Sequence, residues 1–283
     1  MSNYHIKHLE EYFQVYRKSV RNPESYWEEI AEEHFLWHKR WDNVLSYDFD
    51  KPEFKWFEGA QLNITENCID RHLRTRGDKT AILFEPNDPK EKAQHITYNE
   101  LHKRVAQMAN VLKAKGIKKG DRVCIYLPMI PELAISLLAC ARIGAIHSVV
   151  FAGFSSKALA TRINDSSCKM VITSDGSYRG SKTIDLKGIV DEGLKSCESI
   201  ESVLVVKRIN SDIHMKEGRD HWLQPLLDAA EETCAPEIMN AEDPLFILYT
   251  SGSTGTPKGM VHTTAGYMVY TAFTSKNVFQ YRE

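Results

Sequence analysis

Short apolar or β-branched runs alternate with helix-like patterns over much of the chain. The apolar runs are Arg122–Leu127, Ala145–Phe151, Lys169–Thr173, Ser202–Lys207 and Leu245–Thr250. The helical patterns between them cover Pro131–Ile143, Lys157–Asn164 and Leu186–Ser199. This alternation predicts an α/β fold with a layered, mostly parallel sheet. Because ligands of such sheets bind beyond the carboxyl ends of the strands, the loops after these runs are the first candidates for a binding site.

Capping-box patterns predict where two helices of the first third of the chain begin. One pattern is Ser25–Glu28, in an aromatic-rich segment, and the other is Thr97–Glu100. The second helix should end before Gly116, because glycine accepts the left-handed backbone that closes many helices. Strand-like runs at Thr80–Phe84 and Gln94–Tyr98 precede that helix.

Composition narrows the class of protein. The 283 residues carry 36 Lys plus Arg against 38 Asp plus Glu, a balance that gives no reason to expect nucleic acid or an anionic membrane as a partner. Small-molecule substrates fit this charge balance better. The oligomeric state stays unknown. The six cysteines lie far apart, which is typical of thiols in a reducing compartment. Since the first residues are polar and the longest apolar stretch, near Leu133–Ala141, is far shorter than a bilayer span, we expect a cytoplasmic protein.

A loop rich in glycine and hydroxyl side chains, Tyr249–Gly259, directly follows the last predicted strand. Glycines allow close backbone approach, hydroxyls and N–H groups donate to phosphate oxygens, and Lys258 adds a positive charge. A Walker-type loop is excluded because Pro257 precedes this lysine and a glycine follows it. A flexible linker is disfavoured because the loop abuts a buried strand. The sequence therefore predicts a cradle for a polyphosphate.

Two other segments follow predicted strands. Phe151–Ser155 has the sequence of a strand end, a glycine turn and a helix N-cap, whose amides suit an anion or nucleotide. A turn that needs glycine only for its backbone angle fits equally well. Asp175–Lys182 presents Arg179 and Lys182 on a glycine-containing loop, where they suit phosphate, although a solvated surface pair also fits.

The run Tyr249–Gly259 resembles the phosphate loop of the adenylate-forming superfamily, which includes acyl-CoA synthetases, adenylation domains of peptide synthetases and luciferases. In that superfamily the loop holds the β- and γ-phosphates of ATP while a carboxylate attacks the α-phosphate. The residues that inherit this role by resemblance are Thr250, Ser251, Gly252, Ser253, Thr254, Gly255 and Lys258. Thr256 stands where many acetyl-CoA synthetases carry lysine, so the loop has one positive charge fewer.

Further stretches resemble the AMP-forming acetyl-CoA synthetases within that superfamily. They are Trp56–Asn63, Asn67–Leu73, Leu127–Glu132 and Gly144–Ser155. This resemblance implies an acetate–CoA ligase that adenylates acetate with ATP and Mg²⁺, releases pyrophosphate and forms a thioester with coenzyme A. The residues that it implies for coenzyme A binding are Phe151, Gly153, Arg179, Gly180, Ser181 and Lys182. Lys182 stands where the family usually has arginine, so we rely more on Arg179.

The resemblance also implies how the chain is organised. Residues 1–75 would form a helical N-terminal extension and residues 76–283 the first part of the AMP-binding domain. Family members extend more than twice as far, so the catalytic lysine and the metal site should lie downstream, and we expect this portion to be inactive alone. A propionyl-CoA or other short-chain acyl-CoA synthetase stays open, as does a non-catalytic nucleotide- or CoA-binding fragment.

His147 and His262 lie near the motifs and invite a role in acid–base catalysis. Adenylation, however, needs charge neutralisation and alignment more than proton transfer, because a carboxylate is already ionised at neutral pH. We therefore expect both histidines to be packed residues.

Overall fold

The secondary structure follows the alternating pattern of the sequence in most of the computed structural model, which describes residues 6–251, 255 and 257–279. The helices in chain order are α1 (Leu9–Arg21), α2 (Pro23–His34), α3 (Arg71–Arg76), α4 (Tyr98–Ala114), α5 (Pro131–Arg142), α6 (Ser156–Ser166), α7 (Leu186–Leu194), α8 (Leu223–Asp228) and α9 (Thr264–Val278). The strands are β1 (Asn43–Asp48), β2 (Glu53–Glu58), β3 (Gln61–Leu62), β4 (Thr80–Phe84), β5 (Gln94–Thr97), β6 (Arg122–Tyr126), β7 (Ile146–Val149), β8 (Met170–Ser174), β9 (Ser177–Arg179), β10 (Lys182–Ile184), β11 (Ser202–Val206), β12 (Asp220–Trp222), β13 (Met239–Asn240), β14 (Pro244–Thr250) and β15 (Lys258–Thr263). A single π-helical turn covers Glu66–Asp70.

The chain divides into two units by its internal contacts. The first unit comprises residues 1–67, 238–243 and 263–283, and the second comprises residues 68–237 and 244–262. The division into an extension that ends at residue 75 and an AMP-binding domain that follows it stays a prediction.

A seven-stranded sheet in the order β12-β11-β8-β6-β7-β14-β15 organises the second unit. The pairs from β12 through to β14 are all parallel in their hydrogen-bonded registers. Each of the five predicted apolar runs forms a strand of this sheet, and the α/β fold class is confirmed. The strand β15, at one edge, was missed by the sequence analysis, because most of its residues are exposed and lack an apolar run.

The central strands are mostly apolar because helices cover both faces of the sheet. Val123 and Ile125 of β6 face a core cluster that includes residues of α4, α5 and α8. The alternate residues, Cys124 and Tyr126, face a second cluster with residues of α6 and α7. Successive side chains of a strand point to opposite faces, so a strand buried on both sides reads as a continuous apolar run.

The helix starts show where local sequence decided the structure. The capping box at Thr97 and Glu100 is formed as predicted, with both reciprocal hydrogen bonds present. The predicted start at Ser25 was wrong: α2 begins at Pro23, and the Asn22 side chain accepts a hydrogen bond from the Ser25 N–H. Proline suits the first helical position because it lacks an N–H and has a fixed φ, which moves the cap upstream.

The first unit has its own apolar core and is only partly helical. Tyr26, Ile30 and Ala31 of α2 are buried in a cluster that also contains residues of β2 and α9. Beside the helices stands an antiparallel hairpin of β1 and β2, in which Leu45 faces Trp56. The expected helical extension is therefore present, but with a hairpin that the sequence analysis did not predict.

Candidate functional site

A cleft of about 430 Å³ opens at the carboxyl end of the sheet in the second unit. Its lining includes aromatic rings, a methionine and two cations from separate segments of the chain: Phe84, Phe151 and Tyr178, then Met129, then Arg179 and Arg208. These segments lie at or just after the ends of β4, β6, β7, β8 and β11. Parallel strands present their carboxyl ends at one edge, so residues far apart in sequence meet there.

The turn Phe151–Ser155 has the predicted form of a strand end followed by a helix N-cap. Phe154 N–H donates to the Phe151 carbonyl at 2.9 Å, and the Ser155 hydroxyl accepts from the N–H of Ala158 at 3.3 Å. The side chain that a Cβ on Gly153 would meet is the Phe151 ring, only 2.4 Å away. A glycine here lets the exposed Phe151 ring lie against the backbone of the turn, beside the cleft.

The loop predicted after β8 is instead a short hairpin of β9 and β10. Arg179 is paired with Lys182 across the two strands, and Gly180 has a left-handed φ of 61° at the turn. Arg179 lines the cleft, whereas Gly180, Ser181 and Lys182, which the structure also describes, lie outside its lining. Of the six residues predicted for coenzyme A, the structure thus brings together Phe151, Gly153 and Arg179.

Arg208 is a cleft residue that the sequence analysis missed. It follows β11, and its backbone N–H donates to the carboxylate of the fully buried Asp175 at 2.7 Å. The same carboxylate accepts from the backbone N–H groups of Ile209 and Ser211, which fixes the segment after the strand. The signal that could have found Arg208 was its place at the carboxyl end of a predicted strand.

The predicted phosphate loop leaves the same end of the sheet. Thr250 ends β14 and Ser251 follows it, while Lys258 begins the neighbouring strand β15 and is exposed. Gly255 has a φ of 77°, a left-handed value that favours glycine. The predicted residues Gly252, Ser253 and Thr254, together with Thr256, lie outside the described residues.

Arg162 on α6 contacts both regions. Its guanidinium carbon is 4.8 Å from the centroid of the Phe154 ring and 5.4 Å from that of the Tyr249 ring. The side chain is buried and donates to the carbonyl of Ala158 at 2.7 Å, and the Tyr249 hydroxyl donates to Asp165 at 2.6 Å. Since Phe154 belongs to the turn after β7 and Tyr249 to β14, one cation packs against the strands that lead to the cleft and to the phosphate loop.

The two histidines near the motifs each stack on the ring of Phe246, which lies on β14, the strand between theirs. The His147 ring lies 5.3 Å from the Phe246 ring at an interplanar angle of 7°, and Phe246 lies 4.4 Å from His262 at 14°. Burial lowers the pKa of His147 to about 4, so its ring is neutral at neutral pH. The geometry gives both rings a packing role on β7 and β15.

The described part of the chain also bears on metal ligation and membrane insertion. Across residues 6–251, 255 and 257–279, no group of three or more His, Cys, Asp or Glu side chains could hold a metal ion. Mg²⁺ coordination is therefore not assigned to any of these residues. Within the same residues, no helix has both the length and the apolar character needed to cross a bilayer.

Comparison with known proteins identifies the class that this fold and these loops define. The family profile described as AMP-binding enzyme matches residues 69–283, so the chain belongs to the AMP-binding enzyme family. A second profile, described as acetyl-coenzyme A synthetase N-terminus, matches residues 12–68.

Individual relatives give a more specific similarity than the family profiles do. The chain is 53% identical over 274 residues to the acetyl-coenzyme A synthetase of Magnetococcus marinus and 54% identical over 274 residues to acetyl-coenzyme A synthetase 2 of Pseudomonas putida. In each case 97% of this chain is covered, but the chain spans only 42% of the relative's length. Among solved structures, acetoacetyl-CoA synthetase from Streptomyces lividans matches with a TM-score of 0.83 at 28% identity, covering 92% of this chain and 39% of that one.

Proposed function

We propose that the protein containing this chain is an AMP-forming acetate–CoA ligase. The observation that carries the proposal is that identity of 50–54% to relatives named acetyl-coenzyme A synthetase extends over 96–99% of the chain. That span includes the extension as well as the strand-end loops. The acetoacetyl-CoA synthetase structure is 28% identical, which favours acetate over a larger keto acid.

The loop after β14 is proposed to hold ATP through its phosphates. Thr250 ends β14, Ser251 follows it, and Lys258 begins the adjacent strand, so a polyphosphate beyond the ends of these two strands would meet hydroxyls and one ammonium group. Gly252, Ser253, Thr254 and Gly255 complete the set by resemblance. These groups would neutralise the pyrophosphate that leaves.

The cleft after β6, β7 and β8 is proposed to hold the nucleotide end of coenzyme A. Arg179 supplies a guanidinium that suits phosphate, and the exposed ring of Phe151 offers a face on which a purine can stack. Gly153 keeps the backbone close to that ring. Gly180, Ser181 and Lys182, in the hairpin that carries Arg179, are included by resemblance.

The proposed chemistry has two steps. A carboxylate oxygen of acetate attacks the α-phosphorus of ATP, the bond to the β-phosphate oxygen breaks, and pyrophosphate leaves with the bonding electrons. The coenzyme A sulfur then attacks the acetyl carbonyl carbon, the thiol loses its proton, and AMP leaves. No described residue needs to move a proton in the first step, which suits a site built from cations, hydroxyls and amides. Mg²⁺ would bind with ATP and screen the phosphate charge.

The cysteines and the charge balance support a proposal for the compartment and the partners of the protein. All six cysteines are thiols, which suits the cytoplasm, and the balance of 36 basic and 38 acidic residues suits small-molecule substrates rather than nucleic acid or a membrane surface.

Acetate-dependent exchange of labelled pyrophosphate into ATP tests the proposal. The product of the complete reading frame should catalyse exchange faster with acetate than with propionate or acetoacetate. The 283-residue chain alone should catalyse none, because it spans 42% of the length of its relatives. Faster exchange with propionate would point to another short-chain acyl-CoA synthetase, and no exchange with any short acid would point to a non-catalytic binding protein.

A further inference from the structure

Arg208 occupies a position in the cleft that is fixed from two sides. Its backbone is held by the buried carboxylate of Asp175, as described above. Its guanidinium carbon lies 5.8 Å from the centroid of the Phe84 ring and 5.2 Å from that of Tyr178. Aromatic faces orient a planar cation and reduce its hydration, and both properties favour binding of a phosphate.

The guanidinium already has an internal anion as its partner. Both of its terminal nitrogens contact the carboxylate of Glu91, at 2.7 Å and 3.0 Å. Glu91 lies between β4 and β5, and its side chain is 33% exposed, against 15% for Arg208. A phosphate can accept the same two charge-assisted hydrogen bonds from the guanidinium, so a phosphate that enters the cleft can take the place of the carboxylate.

We propose that Arg208 is a second phosphate-recognition residue of the cleft and that Glu91 competes with the phosphorylated ligand for its guanidinium. The inference rests on the proposed function, which puts the nucleotide end of coenzyme A in this cleft. The ligand exchanges one bidentate pair for another: the phosphate takes the place of the carboxylate, and Glu91 returns to solvent. Glu91 thereby sets the affinity of the cleft without contacting the ligand.

Calorimetric titration with adenosine 3′,5′-bisphosphate, on the protein from the complete reading frame, tests the competition. Glu91→Gln keeps the size of the side chain and removes its charge, so the dissociation constant should fall about two- to fivefold. Glu85→Gln is the control, because Glu85 carries the same charge at the cleft and is not the partner of Arg208. An equal fall for both variants would indicate only a general charge effect and would overturn the proposal.

The double variant makes the test specific to this pair. Arg208→Gln should weaken binding by about tenfold or more, and Glu91→Gln should have no further effect in the Arg208→Gln background. Tightening that persists without Arg208, or no weakening by Arg208→Gln, would overturn the inference. Thermal unfolding of each variant checks that the fold is retained.

Arg179→Gln separates this inference from the proposed function. If Arg179→Gln weakens binding while the Arg208 and Glu91 variants do not, the cleft binds the nucleotide and only the present inference fails. If the unmodified protein does not bind adenosine 3′,5′-bisphosphate, both the inference and the assignment of the cleft are contradicted.

Discussion

Two ion clusters in the second unit use the same chemical groups in different surroundings. In the buried cluster, Lys187 Nζ lies 2.7 Å from a carboxylate oxygen of Asp191 and 2.9 Å from one of Asp220, and Arg219 contacts both carboxylates. The Lys187 and Asp220 side chains are 1% and 0% exposed. By contrast, Arg208 lines the open cleft, and the side chain of its partner Glu91 is 33% exposed.

This difference separates charges that maintain the fold from charges that are available to a ligand. Burial alone would raise the pKa of Asp220, but hydrogen bonds from Arg219 and Lys187 outweigh it and lower this pKa to about 2. Because each buried charge has partners inside the protein and no water to replace them, removing Lys187 leaves Asp220 buried with Arg219 as its remaining cation. In the cleft the Glu91 carboxylate can return to water, so Arg208 can change partners when an incoming anion offers an equivalent bidentate pair.

The largest expected effect comes from breaking the buried cluster. Lys187→Met should destabilise the protein by about 3 to 5 kcal/mol, because Asp220 loses a partner while it stays buried. Urea unfolding measures the change. Lys195→Met is the matched control, since Lys195 pairs with Glu192 at the end of the same helix, with side chains 71% and 60% exposed. Similar losses for the two variants would contradict the distinction by burial.

The buried His147 extends the comparison to the pH dependence of stability. The pKa of His147 is about 4 when folded, against the ordinary value of 6.5, because burial disfavours the charged ring. Between pH 6.5 and 4 the unfolded chain therefore binds a proton that the folded chain does not, and stability should fall by about 2 to 3 kcal/mol as the pH is lowered. Urea unfolding of wild type and His147→Phe across this range measures the difference, and a flat difference curve would refute the assignment.

Replacement of Arg162 should have an intermediate effect, and it should change the KM of both proposed substrates. Arg162→Met removes the cation from the rings of Phe154 and Tyr249, and we expect KM for coenzyme A and KM for ATP each to rise about two- to fivefold. Arg162→Lys should recover part of both changes because it restores the charge. Steady-state rates in the complete protein test this, and a change in only one KM would argue against a shared contact.

The smallest expected effect is on the stability of the protein when the ion pair of Arg208 and Glu91 is broken. Glu91→Gln should change the free energy of unfolding by about 0.5 kcal/mol or less, because Glu91 is 33% exposed and the amide oxygen of glutamine can still accept from the Arg208 guanidinium. Urea unfolding beside Lys187→Met gives the direct contrast. A loss of several kcal/mol would show that Glu91 serves the fold rather than the cleft.

The sequence predicted the sheet well because its central strands are buried on both faces. The strand β6 is apolar and buried from Val123 to Tyr126, and such a run is visible without any tertiary information. The exposed strands β9, β10 and β15 lack that signal, since pairing with a neighbour, rather than local composition, defines them.

The site was predicted only where one short segment carries the signal. Phe151, Gly153 and Arg179 lie in motifs with glycine turns, and the structure brings them to one cleft. Arg208 was missed because it is an ordinary charged residue until Asp175, Phe84 and Tyr178 surround it, and the fold alone brings those groups together.

The central claim is that the cleft and the loop after β14 divide the substrates between them. The most direct measurement is KM for coenzyme A and for ATP in Arg179→Gln, with Lys182→Gln as the matched control on the facing strand. Arg179→Gln should raise KM for coenzyme A about tenfold and leave KM for ATP within about twofold, with a smaller change for Lys182→Gln. An increase confined to ATP, or equal for both substrates, would contradict the account.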